Sequence, residues 1–112
     1  MPRTPALALL GWTDETGSHV FRMTRLEMTV GRAVQGSTAD VQLATLPDVS
    51  RAHVRVCYHA DTRRFSIEDL SLLGTTVNGE TLLRGAPRDL PSPADIRLAD
   101  TITLRFDSGA RP

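Results

Sequence analysis

The stretch Leu26-Glu27-Met28-Thr29-Val30-Gly31-Arg32 alternates apolar and polar side chains, then stops at a glycine and a cation. Leu26, Met28 and Val30 face one way, Glu27 and Thr29 the other, a period of two that marks a strand buried on one face. The same alternation recurs further along. Phe65 and Ile67 alternate with Ser66 and Glu68, and Ile102, Leu104 and Phe106 with Thr101, Thr103 and Arg105. β-Branched and aromatic residues at the inward positions suit a pleated, half-buried surface. Further strands are predicted at Ala6–Leu10, Val20–Met23, Val41–Leu43, His53–Tyr58, Thr76–Val77 and Asp95–Leu98.

Turn chemistry separates these runs at short intervals. Asp14-Glu15-Thr16-Gly17 and Asp61-Thr62-Arg63-Arg64 read as hairpin connections, and Asn78-Gly79 as a tight turn whose residues tolerate positive φ. Gly85–Pro93, with three prolines, is expected to be the longest surface loop. No window carries a 3.6-residue apolar stripe. The expected fold is therefore all-β, an antiparallel β-sandwich with little or no helix.

The whole chain, 112 residues, reads as one domain with its core between about 7 and 106 and a disordered tail or linker start at 107–112. Thirteen basic and thirteen acidic side chains give zero net charge, which disfavours a non-specific nucleic-acid binder. The first ten residues lack the pattern of a signal peptide, no run of ~20 apolar residues exists, and no membrane partner is expected. Cys57 stands alone, so no internal disulfide forms, and a cytoplasmic protein is the expectation. Within Val54-Arg55-Val56-Cys57-Tyr58 the thiol reads as a buried small hydrophobe. His19, His53 and His59 follow no metal-ligand spacing, and no cofactor motif is present. Trp12 is expected to close the first strand as a packing residue.

Three short signatures fall at strand ends, where loops present side chains to ligands. Gly31 lets the chain leave the sheet, and Arg32 then offers a planar fork of donors matched to a phosphate. Ser50-Arg51-Ala52-His53 supplies a hydroxyl, a second cation and a histidine suited to bracing the loop from inside. Gly74-Thr75-Thr76-Val77-Asn78-Gly79 follows Asp69. A nucleophile triad of Ser50, His53 and Asp69 is a poor reading, because no glycine-flanked nucleophile elbow surrounds the serine.

This constellation resembles the forkhead-associated (FHA) domain over roughly Leu7 to Phe106. The resemblance implies an eleven-stranded sandwich (SMAD/FHA-like) that docks phosphothreonine-containing partners made by Ser/Thr kinases, and not an enzyme. It implies phosphate binding by Arg32, Ser50 and Arg51. Leu72, Leu73, Thr75 and Asn78 would contact the peptide or support its loop, Asn78 reaching the peptide backbone. Gly31, His53, Gly74 and Gly79 would be structural.

The third signature departs from the family. One residue fewer separates Asp69 from Ser71, and Leu73 replaces an asparagine that in the family hydrogen-bonds the peptide backbone. A neutral hydrogen bond is worth roughly 0.5–1.5 kcal/mol, and one to a charged group about 1.5–3. Phosphate contacts could thus supply most of a micromolar affinity of about −8 kcal/mol, with the asparagine's loss costing roughly 2- to 10-fold. Leu72-Leu73 either pack within the loop or form a patch for an apolar side chain of the partner. Two rivals follow: a phosphate-independent assembly domain of a larger complex, and a small hydrolase.

Overall fold

The computed structural model describes residues 5–44 and 47–109. Eleven strands follow one another: β1 (Ala8–Asp14), β2 (Gly17–Met23), β3 (Glu27–Arg32), β4 (Val41–Leu43), β5 (Val54–His59) and β6 (Arg64–Asp69), then β7 (Thr75–Val77), β8 (Glu80–Thr81), β9 (Arg88–Leu90), β10 (Ala94–Leu98) and β11 (Ile102–Asp107). They form a six-stranded sheet, ordered β2-β1-β11-β10-β7-β8, and a five-stranded sheet, ordered β4-β3-β5-β6-β9. The period-two alternation fixes which side chains face between the sheets. Met28, Val30, Val54, Val56 and Ile67 from one sheet bury against Leu10, Ile96, Leu98, Leu104 and Phe106 from the other. Each such side chain contributes about 1.5–3 kcal/mol when fully buried. Phe65 meets Phe106 edge-on at 5.0 Å between ring centroids, joining the layers.

Several expectations need correction. The sandwich is not wholly antiparallel: β4 runs parallel to β3, with Val30 opposite Val41 and Arg32 opposite Leu43. The segment 33–40 carries the chain back along the sheet to make this possible, and Ala33 N–H donates to the Leu43 carbonyl at 2.8 Å. The presumed long loop Gly85–Pro93 contains β9, whose Leu90 is buried opposite Phe65. Pro87 and Pro91 flank this strand without entering it, as an edge position permits. β1 begins two residues later than expected and runs on to Asp14, so Trp12 lies inside it, stacked on His19 at 5.4 Å. Cys57 is not a buried hydrophobe. Val54 and Val56 take the inward positions of β5, which turns Cys57 to the outer face, half-buried beside Glu27. Burial and the Glu27 charge push its thiol up, away from reactivity. Asp107 closes β11 and Ser108 N–H donates to Ser92 Oγ, so the expected tail starts inside the sandwich; residues 110–112 lie outside the described ones.

Register places the ends of the strands. Val30, Val54 and Asp69 are successive partners, so the end of β3, the start of β5 and the end of β6 coincide. Leu98 pairs with Thr75, which brings the start of β7 and the end of β10 together. At the far end Leu9 faces Asp107.

Candidate functional site

Gly31 is the point of closest approach. A Cβ built on it would lie 1.7 Å from the Arg51 carbonyl oxygen and 3.0 Å from that of Ser50. The sequence suggested that Gly31 frees the chain to leave the sheet. Instead it remains paired within β3, and its missing side chain admits the backbone of the Ser50-Arg51 segment. Two hydrogen bonds then fix Arg32 to that segment. Its backbone N–H donates to the Ser50 carbonyl at 3.0 Å, and its Nε–H donates to the Val49 carbonyl at 2.9 Å. The guanidinium is thus held by its base, with the Nη donors still to be used. Among the described residues Arg32, Arg51 and Arg84 pair with no carboxylate, nor do Arg25 and Arg63, whereas Arg55, Arg64, Arg88, Arg97 and Arg105 all do.

His53, fully buried just before β5, ties two loops together. Its Nδ1 accepts from Ser50 N–H at 3.1 Å, which leaves the proton on Nε2 to donate to the Gly74 carbonyl at 2.8 Å. Burial lowers its pKa, opposed by the Gly74 bond and the Asp69 charge. The unfolded chain therefore takes up a proton below about pH 6.5 that the folded chain resists. Stability is complete above that pH and falls, by up to about 1.4 kcal/mol per pH unit, as the pH drops towards the folded value. Denaturation midpoints between pH 5 and 8 should show this slope, and His53→Gln, though less stable throughout, should lose much of it. Equal slopes would overturn the assignment, since His19 and His59 are common to both proteins.

Asp69 organises the third segment. Its buried Oδ1 accepts from Ser71 N–H at 3.0 Å, Ser71 Oγ–H at 2.6 Å and Thr75 Oγ1–H at 2.9 Å. Ser71 Oγ in turn accepts from Gly74 N–H at 2.8 Å, closing the turn. The turn reaches the second signature through Leu72, whose N–H donates to Ser50 Oγ at 3.2 Å. The Ser50 hydroxyl proton is left to donate outward. Leu72 and Leu73 do not pack inside the loop: they are 80% and 62% exposed.

Arg32, Ser50, Arg51, Leu72 and Leu73 therefore share one end of the sandwich, with His53, Gly74 and Thr75 bracing it from within. Asn78 does not belong there. It lies beyond the other end of β7, where it is paired with Asp95: its N–H donates to the Asp95 carbonyl and its Oδ1 accepts from Asp95 N–H, both at 2.9 Å. With φ of 50° at Asn78 and 85° at Gly79, the pair forms the β7–β8 turn, and that turn is what Gly79 serves. The hydrolase geometry is also missing. His53 engages the amide of Ser50 rather than its hydroxyl, and Asp69 engages Ser71 and Thr75. Sequence reasoning missed the anchoring Val49 carbonyl and the central part played by Asp69. A buried acid followed by Ser71 and Thr75 at two and six residues was the available signal for the latter.

The chain is similar to several known proteins. An Arabidopsis thaliana FHA domain-containing protein, FHA1, is 37% identical over 70 residues, which cover 60% of this chain; the match spans only 28% of that relative's length. The MEK1 FHA domain in complex with a phosphothreonine peptide of HOP1 superposes with a TM-score of 0.72 at 25% identity, covering 92% of this chain and 97% of that one. The N-terminal FHA domain of S. cerevisiae RAD53P, also bound to a phosphothreonine peptide, gives a TM-score of 0.75 at 17% identity, with coverages of 90% and 92%. The FHA domain family model itself matches residues 28–99, a span that holds all three signatures, and the chain belongs to the FHA domain family.

Proposed function

We propose that this protein is a phosphopeptide-binding module that docks a partner phosphorylated on threonine by a Ser/Thr kinase. Arg32 forks onto the phosphate, Ser50 donates its hydroxyl to a second oxygen, and Arg51 adds charge beside them. The observation that carries the reading is the shared anchorage of Arg32 and Ser50, joined by the Arg32 N–H to Ser50 carbonyl bond beside the Val49 anchor. A dianion is what such a pair lacks, since Arg32 and Arg51 meet no carboxylate among the described residues. A cytoplasmic setting belongs to the same proposal. Phosphate-independent assembly would leave these cations without a task.

The test is a melting-temperature comparison between phosphothreonine peptides and their unphosphorylated forms. At about 100 times the dissociation constant, a bound peptide adds roughly 2.7 kcal/mol, or ~10 °C. Only the phosphorylated peptides should produce the shift. Equal shifts with both forms would overturn the reading.

A further inference from the structure

The turn between β10 and β11 is left-handed at two consecutive residues, Ala99 with φ of 51° and Asp100 with φ of 53°. Thr101 N–H closes it on the Leu98 carbonyl at 2.9 Å. The β7–β8 turn of this chain gives the same task to Asn78-Gly79, residue types that accept it. In alanine the Cβ crowds the following carbonyl oxygen, so the conformation is disfavoured. Arg97 holds it there. From the outer face of β10 its guanidinium donates from Nε to Asp100 Oδ1 at 2.7 Å, from Nη2 to the Asp100 carbonyl at 2.9 Å and from Nη1 to Thr103 Oγ1 at 2.8 Å. The Ala99 N–H is used outside the hairpin, where it donates to the Gly74 carbonyl at 2.9 Å.

We infer that Arg97 is a positioning residue for phosphopeptide binding, acting through the Ala99-Asp100 turn on Gly74. This rests on the phosphopeptide reading above and names a side chain outside the site on which the site depends. Leu98 lies opposite Thr75, so the turn sits at the same end of the sandwich as Arg32 and Ser50. The Gly74 carbonyl receives two donors, Ala99 N–H from the end of one sheet and His53 Nε2–H, at 2.8 Å, from the end of the other. His53 Nδ1 passes that placement to Ser50 N–H at 3.1 Å. Two residues before Gly74, the Leu72 N–H sets the Ser50 hydroxyl at 3.2 Å. Ser50 is thereby oriented at both its amide and its side-chain oxygen by one short loop, and the β10–β11 turn secures that loop from the six-stranded sheet. Without Arg97 the alanine relaxes out of the left-handed region, its N–H leaves Gly74, and Ser50 loses its aim. Arg97 has no need of the ligand: all three of its guanidinium nitrogens are engaged within the protein.

The experiment measures phosphothreonine-peptide affinity and melting temperature for Arg97→Ala, Arg97→Lys, Ala99→Gly and the double variant R97A/A99G. Both Arg97 variants should bind about 5- to 10-fold more weakly, the effect of losing roughly one hydrogen bond. Lysine gives no rescue because it keeps the charge but not the fork. Glycine occupies the left-handed region unaided, so A99G should bind like the parent and R97A/A99G should recover the parental affinity. In nitrogen–proton NMR spectra the Ser50 and Leu72 amide signals should move in R97A and return in the double variant, whatever the melting temperatures do. Parental affinity in R97K overturns the inference, with or without a loss in R97A. Weak binding that glycine leaves unrestored also overturns it, by setting Arg97 against the ligand or reducing it to general stability. If no protein in the series, the parent included, prefers the phosphorylated peptide, the phosphopeptide reading itself fails.

Discussion

Replacing Gly31 by alanine is expected to destabilise the protein and remove phosphopeptide binding in one step. The new methyl would sit 1.7 Å from the Arg51 carbonyl oxygen and 2.4 Å from its carbon, both backbone atoms with no side-chain freedom to absorb the collision. On either side the backbone is pinned, by Arg32 N–H to Ser50 and by His53 N–H to Val30, so relief means breaking those bonds. The cost should be about 3 kcal/mol or more, lowering the melting temperature by roughly 10 °C or more. Gly11→Ala is the matched control. Its Cβ would meet His19 O at an ordinary 3.7 Å, so its effect should stay within about 0.5 kcal/mol. Thermal melts and peptide titrations of the two variants decide the matter; a Gly31→Ala protein that melts and binds like the parent would refute the packing account.

Arg32→Ala should weaken phosphothreonine-peptide binding by about 100-fold or more, because two bonds to a charged oxygen, each worth about 1.5–3 kcal/mol, disappear together. Its effect on the fold should be slight. Only the Nε to Val49 bond is lost on the protein side, about 1 kcal/mol. Arg32→Lys keeps the charge but neither the fork nor that anchor, so it should fall between, at about 10-fold. Calorimetric titration with one phosphorylated peptide ranks all three proteins. Alanine binding as tightly as arginine would rule out Arg32 as the phosphate ligand.

The strands read most clearly in the sequence are those buried on one face only. β11 and β6 alternate cleanly, and β4 was bounded to the residue, because Val41 and Leu43 flank a polar Gln42. β8 and β9 escaped because both are short edge strands with mostly exposed residues, Glu80 and Thr81, Arg88 and Asp89, held by pairing rather than by an apolar stripe. In β1 the run Gly11-Trp12-Thr13-Asp14 has no alternation to read, and its strand character comes from pairing with β2.

The site divides in a similar way. Side chains suited to a phosphate announce themselves by type, and Arg32, Ser50 and Arg51 do converge on one end. What holds them is mostly main chain: the carbonyls of Val49, Ser50 and Gly74 accept the decisive bonds, and a carbonyl has no letter in the sequence. The resemblance puts Asn78 with the rim, and along the chain it lies only four residues from Gly74. A strand of three residues between them was enough to carry it to the other end.

The pairing of Leu9 with Asp107 means that the chain enters and leaves the sandwich side by side, at its base. The recognition loops lie at the other end of β11, about 17 Å away along a strand of this length. Leu9 and Asp107 thus sit together behind the domain, like the two wires at the back of a plug. A fluorophore or surface tether attached through a cysteine placed at Leu9 or Asp107 leaves the front open to its target.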